Sequence, residues 1–128
     1  MVTKDSKCLF CNIPRDRIFE ENEYSYAIRD RFPVTEQHSL IIPKRHVEDY
    51  FGLTTDELIA CDSLLKNVRD KILESDKTVK GFNFGANSGE AAGQTIFHCH
   101  IHLIPRRNGD VENPRGGVRH VIPGKGNY

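Results

Sequence analysis

The chain carries no surplus of charge. Its 18 lysines and arginines are matched by 18 aspartates and glutamates, so no basic field exists to draw nucleic acid or an anionic lipid surface. No apolar run approaches the length of a membrane span. The start, Met1-Val2-Thr3-Lys4-Asp5-Ser6-Lys7, is charged and has none of the apolar stretch of a signal peptide. These absences set the expectation of a soluble, cytoplasmic protein that partners neither nucleic acid nor membrane. Repeats and linkers are missing too, and 128 residues suffice to bury a core, so one domain over 1–128 is expected. Cysteine is sparse, and it does not read as a disulfide framework. Cys61 and Cys99 stand in apolar patterns, as core thiols do. Cys8 and Cys11 have the Cys-x-x-Cys spacing of a zinc knuckle or a redox pair. A redox pair wants a helix starting at its first cysteine. Pro14 and a charged run follow instead, which favours metal, with two incidental thiols as the alternative until a second pair of ligands is found.

What is present reads as short strands and one helix. Arg17–Glu20 and Tyr24–Arg29 form an early hairpin across Glu21-Asn22-Glu23. Residues 30–37 are a loop because Pro33 cannot sit inside a sheet, and His38–Pro43 is a strand that Pro43 ends. From about Thr54 to Ser75 the pattern is helical: Thr54 and Glu57 have the form of a capping box, and Leu58, Cys61, Leu65, Val68 and Ile72 make an apolar stripe. Lys80–Gly85 is another strand. Gly85–Thr95 is rich in small residues, so its backbone can approach a ligand closely and aim N–H groups at an anion, although no Gly-Lys-Ser/Thr follows as in a P-loop. After Arg107 no period is sustained. Residues 108–128 read as turns or a frayed tail, with Arg115 and Arg119 as alternative contacts to a phosphate chain.

The informative stretch is Phe97-His98-Cys99-His100-Ile101-His102-Leu103-Ile104. On a strand, alternation puts the three histidines on one face and Cys99, Ile101 and Leu103 on the other. Neighbouring imidazoles then start roughly 6.6 Å apart, within reach of one phosphate-sized ligand. Two chemistries fit. The imidazoles could ligate a catalytic metal with help from a further ligand outside the stretch. Alternatively, the middle ring is a nucleophile that attacks phosphorus and forms a phospho-histidine that water breaks. Histidine's ordinary titration near pH 6.5 leaves a useful neutral fraction at pH 7. A merely structural polar face explains one histidine well and three poorly.

His98-Cys99-His100-Ile101-His102-Leu103-Ile104 resembles the His-φ-His-φ-His-φ-φ signature (φ apolar) of the histidine triad nucleotide hydrolases and transferases. The resemblance extends to Gly93-Gln94-Thr95, Asn87, Asp30 and His38–Pro43, covering most of a core at about 8–107 and leaving 108–128 as an extension. It implies an α+β fold: an antiparallel sheet of about five strands, one long helix, and a homodimer with a continuous sheet. It implies that His100 is the nucleophile toward the α-phosphorus of a nucleotide, its other ring nitrogen donating to a main-chain carbonyl. His102 would bind the phosphate oxygens, and His38 would support the active-site strand. Gln94, Thr95 and Asn87 would lie beside the phosphate, Asp30 at the ribose, and Leu9, Phe10, Ile13 and Ile28 around the base. Bacterial members add a structural zinc, whose ligands here would be Cys8, Cys11, His46 and His98. The expected activity is cleavage of dinucleoside polyphosphates, to which Gly93-Gln94-Thr95 and Pro105–Asp110 are similar. Asp30 agrees instead with the phosphoramidase branch, and a phosphorylase is a further alternative. Outside catalysis, the competing reading is a nucleotide-binding interaction module.

Overall fold

Short apolar runs separated by turn residues become five strands in one antiparallel sheet of order β1-β2-β3-β5-β4. The computed structural model describes residues 4–128, so residues 1–3 of the charged start lie outside the described residues. β1 (Ile18–Glu21) and β2 (Ser25–Arg29) form the hairpin. Its turn is fixed by Asn22, whose Oδ1 accepts the amides of Tyr24 and Ser25 at 3.2 and 3.0 Å. β3 (Ser39–Pro43) follows, then α1 (Thr55–Ser75), β4 (Val79–Gly85) and β5 (Ile101–Arg107).

The capping box forms in both halves. Thr54 Oγ1 accepts the Glu57 amide at 3.2 Å, and Glu57 Oε1 accepts the Thr54 amide at 2.8 Å. Glu57 is itself buried, and it is held by Arg45 through two bonds of 2.8 Å. The apolar stripe differs at its edges from the expected one. Cys61, Val68 and Ile72 are buried as expected, but Leu64 (1 % exposed) takes the place given to Leu65, which is only partly buried, and Glu57 takes that of Leu58, which is 39 % exposed. Glu57, bonded to Arg45, occupies the buried face at that turn, and Leu58 lies at its side.

The sheet is covered on both faces. Ala27, Ile41, Ile101 and Leu103 pack with the α1 stripe on one side. On the other, Tyr26, Ile28, Leu40 and Ile42 pack with Phe10, and Cys8 and Ile13 lie against that cluster. The rest of this second face, along β5, is occupied by His102, Ile104 and Arg106, which alternate with the buried Leu103 and Pro105.

Two expectations need correction. The histidine strand was expected over Phe97–Ile104, yet pairing begins only at Ile101 and runs on to Arg107. β3 ends at Pro43, and its carbonyl accepts from the His98 side chain at 2.7 Å, while the Cys99 amide turns to the Val47 carbonyl at 2.7 Å. His98 and His100 therefore sit on an extended lead-in that is held by the segment after β3. The tail 108–128 is not frayed. Gly117–Val121 forms a 3-10 turn, Asp110 accepts two bonds of 2.8 Å from Arg106, and Arg115 and Arg119 both stack on the Tyr128 ring at 4.8 Å. Among the described residues no helix is long and apolar enough to cross a membrane.

Candidate active site

The three histidines do different things. His98 is fully buried, and its Nε2–H donates to the Pro43 carbonyl at 2.7 Å. That leaves the Nδ1 lone pair facing the thiols of Cys8 and Cys11 at 3.4 and 3.5 Å. His46 Nδ1 lies 3.3 Å from Cys11 Sγ, and all four donor atoms fall within 4.8 Å of one another. In a tetrahedral zinc site with Zn–S near 2.3 Å and Zn–N near 2.05 Å, sulfur and nitrogen stand about 3.6 Å apart. The observed spacings match that, and the second nitrogen of His98 is anchored as metal-bound imidazoles usually are. The four groups fit a closed zinc site. Burial holds the His98 pKa below its ordinary value, which favours the neutral, ligating ring.

His100 is the next ring along. Its Nδ1–H donates to the His98 carbonyl at 2.8 Å, which leaves the Nε2 lone pair free. The Phe10 ring meets it edge-on at 4.9 Å, and His102 lies 5.3 Å away between centroids. A ring so held can swing neither away from the cleft nor into the other tautomer.

His102 is fixed by a chain of bonds that starts at a backbone amide. Val34 N–H donates to His38 Nδ1 at 3.0 Å, so His38 carries its proton on Nε2. That Nε2–H has His102 Nδ1 at 2.9 Å and Asp30 Oδ2 at 3.6 Å, and only the first is a hydrogen bond. His102 Nδ1 is thus an acceptor, and its proton sits on Nε2, turned to the cleft. Burial, with the neighbouring His100 and His38, pushes the His102 pKa down to about 4, so the ring is a neutral donor at pH 7. Burial lowers His38 as well, against the pull of Asp30. Asp30, His38 and His102 lie close enough to suggest a second metal cluster. Their bonding order argues otherwise, because His38 has no lone pair turned toward the other two.

The flanking residues divide. Asn87 lines the cavity beside His102, and Thr95 is exposed at the end of the loop. Gln94 is only 3 % exposed, and its amide is fully engaged. It accepts from the Gly89 amide at 2.8 Å and donates to the Glu48 and Ile96 carbonyls at 2.7 and 3.2 Å. As it stands Gln94 braces the glycine-rich loop, which turns at Gly89 and Gly93, both at φ +92°. Among the base-binding candidates, Leu9 is exposed and Ile13 half-buried, while Phe10 and Ile28 are buried beneath them. Sequence reading missed Val34, whose contribution is a backbone N–H and leaves no trace in residue type. It also missed the tail residues that line the cavity past His102.

Fold and site together define a class: a one-helix α+β domain presenting a free imidazole nitrogen beside a neutral imidazole donor. The HIT domain model matches residues 12–109. A HIT-like protein of Mycoplasma genitalium is 38% identical over 105 residues, which span 79% of this chain and 74% of that one. A hypothetical histidine triad nucleotide-binding protein from Sulfolobus tokodaii superposes with TM-score 0.74 at 37% identity, over 80% of this chain and 71% of its own. A zinc-bound histidine triad family protein from Mycobacterium smegmatis gives 0.72 at 36%, over 81% and 78%. The chain belongs to the HIT family, and that membership supports a nucleotide-binding or nucleotide-hydrolysing function.

Proposed function

We propose that the chain is a nucleotidyl hydrolase or transferase acting at the α-phosphate of dinucleoside polyphosphates through a covalent nucleotidyl-histidine. The observation that carries this reading is the pair of fixed tautomers, with Nε2 of His100 an acceptor and Nε2 of His102 a donor. His100 attacks phosphorus with its Nε2 lone pair, and the leaving group departs with the electrons of its own bond to phosphorus. The ring gains positive charge as the N–P bond forms, and the His98 carbonyl, accepting from Nδ1–H, stabilises it. His102 donates to a phosphate oxygen, which strengthens as that oxygen gains charge in the transition state. Water then attacks phosphorus, the N–P bond breaks, and a nucleoside monophosphate leaves with the ring regenerated. The base would rest near Leu9 and Ile13, on the apolar layer of Phe10 and Ile28, with Asp30 at the ribose hydroxyls. Asn87 and Thr95 would face the phosphate, and Gln94 would hold their loop. A structural zinc on Cys8, Cys11, His46 and His98 belongs to the same proposal, as does a second copy of the chain as partner.

His100→Ala should lower turnover by roughly a thousandfold or more while nucleotide affinity stays within a few-fold. Rapid quenching followed by mass spectrometry should find the nucleotidyl adduct on His100. Near-native turnover by the variant would sink the assignment, and binding without an adduct would favour an interaction module. One observation favours phosphoramidates as a second reading. Arg106 is the single lysine or arginine lining the cavity beyond His102, and it is already held by Asp110 and by Asn83 at 2.6 Å. Among the described residues a long phosphate chain would find no unpaired lysine or arginine there.

A further inference from the structure

Only Leu9 and Phe10 stand between the two cysteines that face His46 and His98. The same two residues belong to the proposed nucleoside site. The Phe10 ring meets His98 edge-on at 6.1 Å and His100 at 4.9 Å, and Leu9 is exposed beside it. The segment that carries them is stiff. The Tyr26 hydroxyl donates to the Phe10 carbonyl, and the Asn12 side-chain amide donates to the carbonyls of Asp5 and Cys8 at 3.1 and 2.7 Å. A change in the distance between the two sulfurs therefore has to be taken up by Leu9 and Phe10.

Cys8 and Cys11 are also the thiols that an oxidant in solution can reach. Both are partly exposed, whereas Cys61 and Cys99 are shut in the core. Their sulfurs lie within 4.8 Å of each other. As zinc ligands both would be thiolates, the form that attacks a peroxide. No helix starts at Cys8, so the pair does not resemble a catalytic dithiol, and oxidation of it acts on the chain's own site.

We propose that Cys8 and Cys11 form a redox switch on the nucleoside site: a hydroperoxide converts them to a disulfide, the closing ring draws Leu9 and Phe10 out of place, and the oxidised chain binds nucleotide more weakly. The switch rests on the nucleotidyl-transfer reading, which puts the base at Leu9 and Ile13. One thiolate attacks the O–O bond, which breaks to give a sulfenic acid and hydroxide. The second thiolate attacks that sulfur, the S–S bond forms, the S–O bond breaks, and a second hydroxide leaves. Two electrons pass from the thiolates to the peroxide. The imidazoles of His46 and His98 are then all that the chain offers zinc, and the ion is released with its charge unchanged. Two sulfurs on one zinc stand roughly 3.8 Å apart, against about 2.05 Å in a disulfide. The sulfurs must converge by roughly 1.7 Å, and the Phe10 ring loses its edge contact with His100.

The test uses the purified full chain with zinc, and adenosine and guanosine 5′-monophosphate as probes. A small molar excess of hydrogen peroxide should release zinc to a colorimetric chelator. Peptide mass mapping should then find the Cys8–Cys11 disulfide, with Cys61 and Cys99 still open to alkylation after unfolding. Kd for the tighter-bound monophosphate should rise roughly tenfold, within the ordinary range of coupling between sites, and return after reduction with zinc added back. By linkage, saturating monophosphate should shift the thiol–disulfide equilibrium in a glutathione buffer toward the thiols by the same factor. An unchanged Kd in the disulfide form would overturn the switch alone. So would thiols that survive peroxide, oxidation that stops at a sulfinic acid or falls on Cys61 and Cys99, or a loss of affinity that comes with a collapsed circular dichroism spectrum. If the reduced protein binds neither monophosphate at millimolar concentration, the nucleotidyl-transfer reading falls and the switch with it.

Discussion

At the scale of single residues, the site depends on which nitrogen of each ring holds the proton, and backbone groups decide this. The His98 carbonyl sets His100, and the Val34 amide sets His38 and, through it, His102. His38 does not reach the cleft with a free nitrogen, so its effect passes through His102 and it is a positioning residue. His38→Phe keeps a ring in the buried slot but removes both nitrogens. His102 Nδ1 then loses its donor, and nothing prevents its proton from moving there, which would turn a lone pair instead of an N–H toward the phosphate. Removing a transition-state donor outright costs a hundredfold to a thousandfold in kcat, so loss of its orientation should cost roughly ten- to a hundredfold. KM should move little, since the ground-state phosphate meets the same side chains. Steady-state kinetics decides the matter, and a fall in kcat/KM that arises wholly from KM would count against this role.

At the scale of elements, the sequence made some features plain and hid others for physical reasons. The capping box at Thr54 was legible because both partners lie within one turn, and the five strands because alternation and turn residues mark them. The lead-in at His98–His100 was not, because its pairing is decided by where β3 stops, and a main-chain carbonyl borrowed by a side chain 55 residues away leaves no mark on residue type. The exchange of Leu65 for Leu64 and of Leu58 for Glu57 was hidden likewise, since periodicity fixes a helical face only to within about one side chain, and a charged Glu57 enters the buried face only with Arg45 as its partner. That exchange has a consequence. Leu58 and Ile59 join Phe51 and Phe84 as exposed apolar groups around a hollow of about 580 Å³ beside β4, which is also an open edge of the sheet. An apolar face next to an unpaired edge suits a second copy of the same chain. If this is the dimer face, Ile59→Asp should shift sedimentation from dimer to monomer with the circular dichroism spectrum unchanged. A monomeric unaltered protein at micromolar concentration would refute it.

At the scale of the whole molecule, the proposed zinc joins parts that little else holds together. Residues 4–13 contribute one well-buried side chain, Phe10, and the rest of the segment is exposed or half-buried. The four donor groups come from this segment, from the stretch after β3, and from the lead-in to β5, with Cys11 separated from His46 by 35 positions and Cys8 from His98 by 90. A metal at their centre therefore closes long loops, and its binding free energy counts toward folding. It would also fix His98, whose carbonyl accepts from His100, the proposed nucleophile. Purified protein should hold one zinc per chain, and a chelator strong enough to remove it should lower Tm by roughly 10 °C or more. Protease cleavage within residues 4–13 should appear before global unfolding. Cys11→Ser should show the same loss, with no further effect of the chelator. Turnover should decline in step with the loss of structure, because the proposed role gives the metal none of the chemistry. Immediate loss of turnover with Tm unchanged would instead assign the metal to catalysis, and full removal with neither quantity moving would mean that the four side chains meet for another reason.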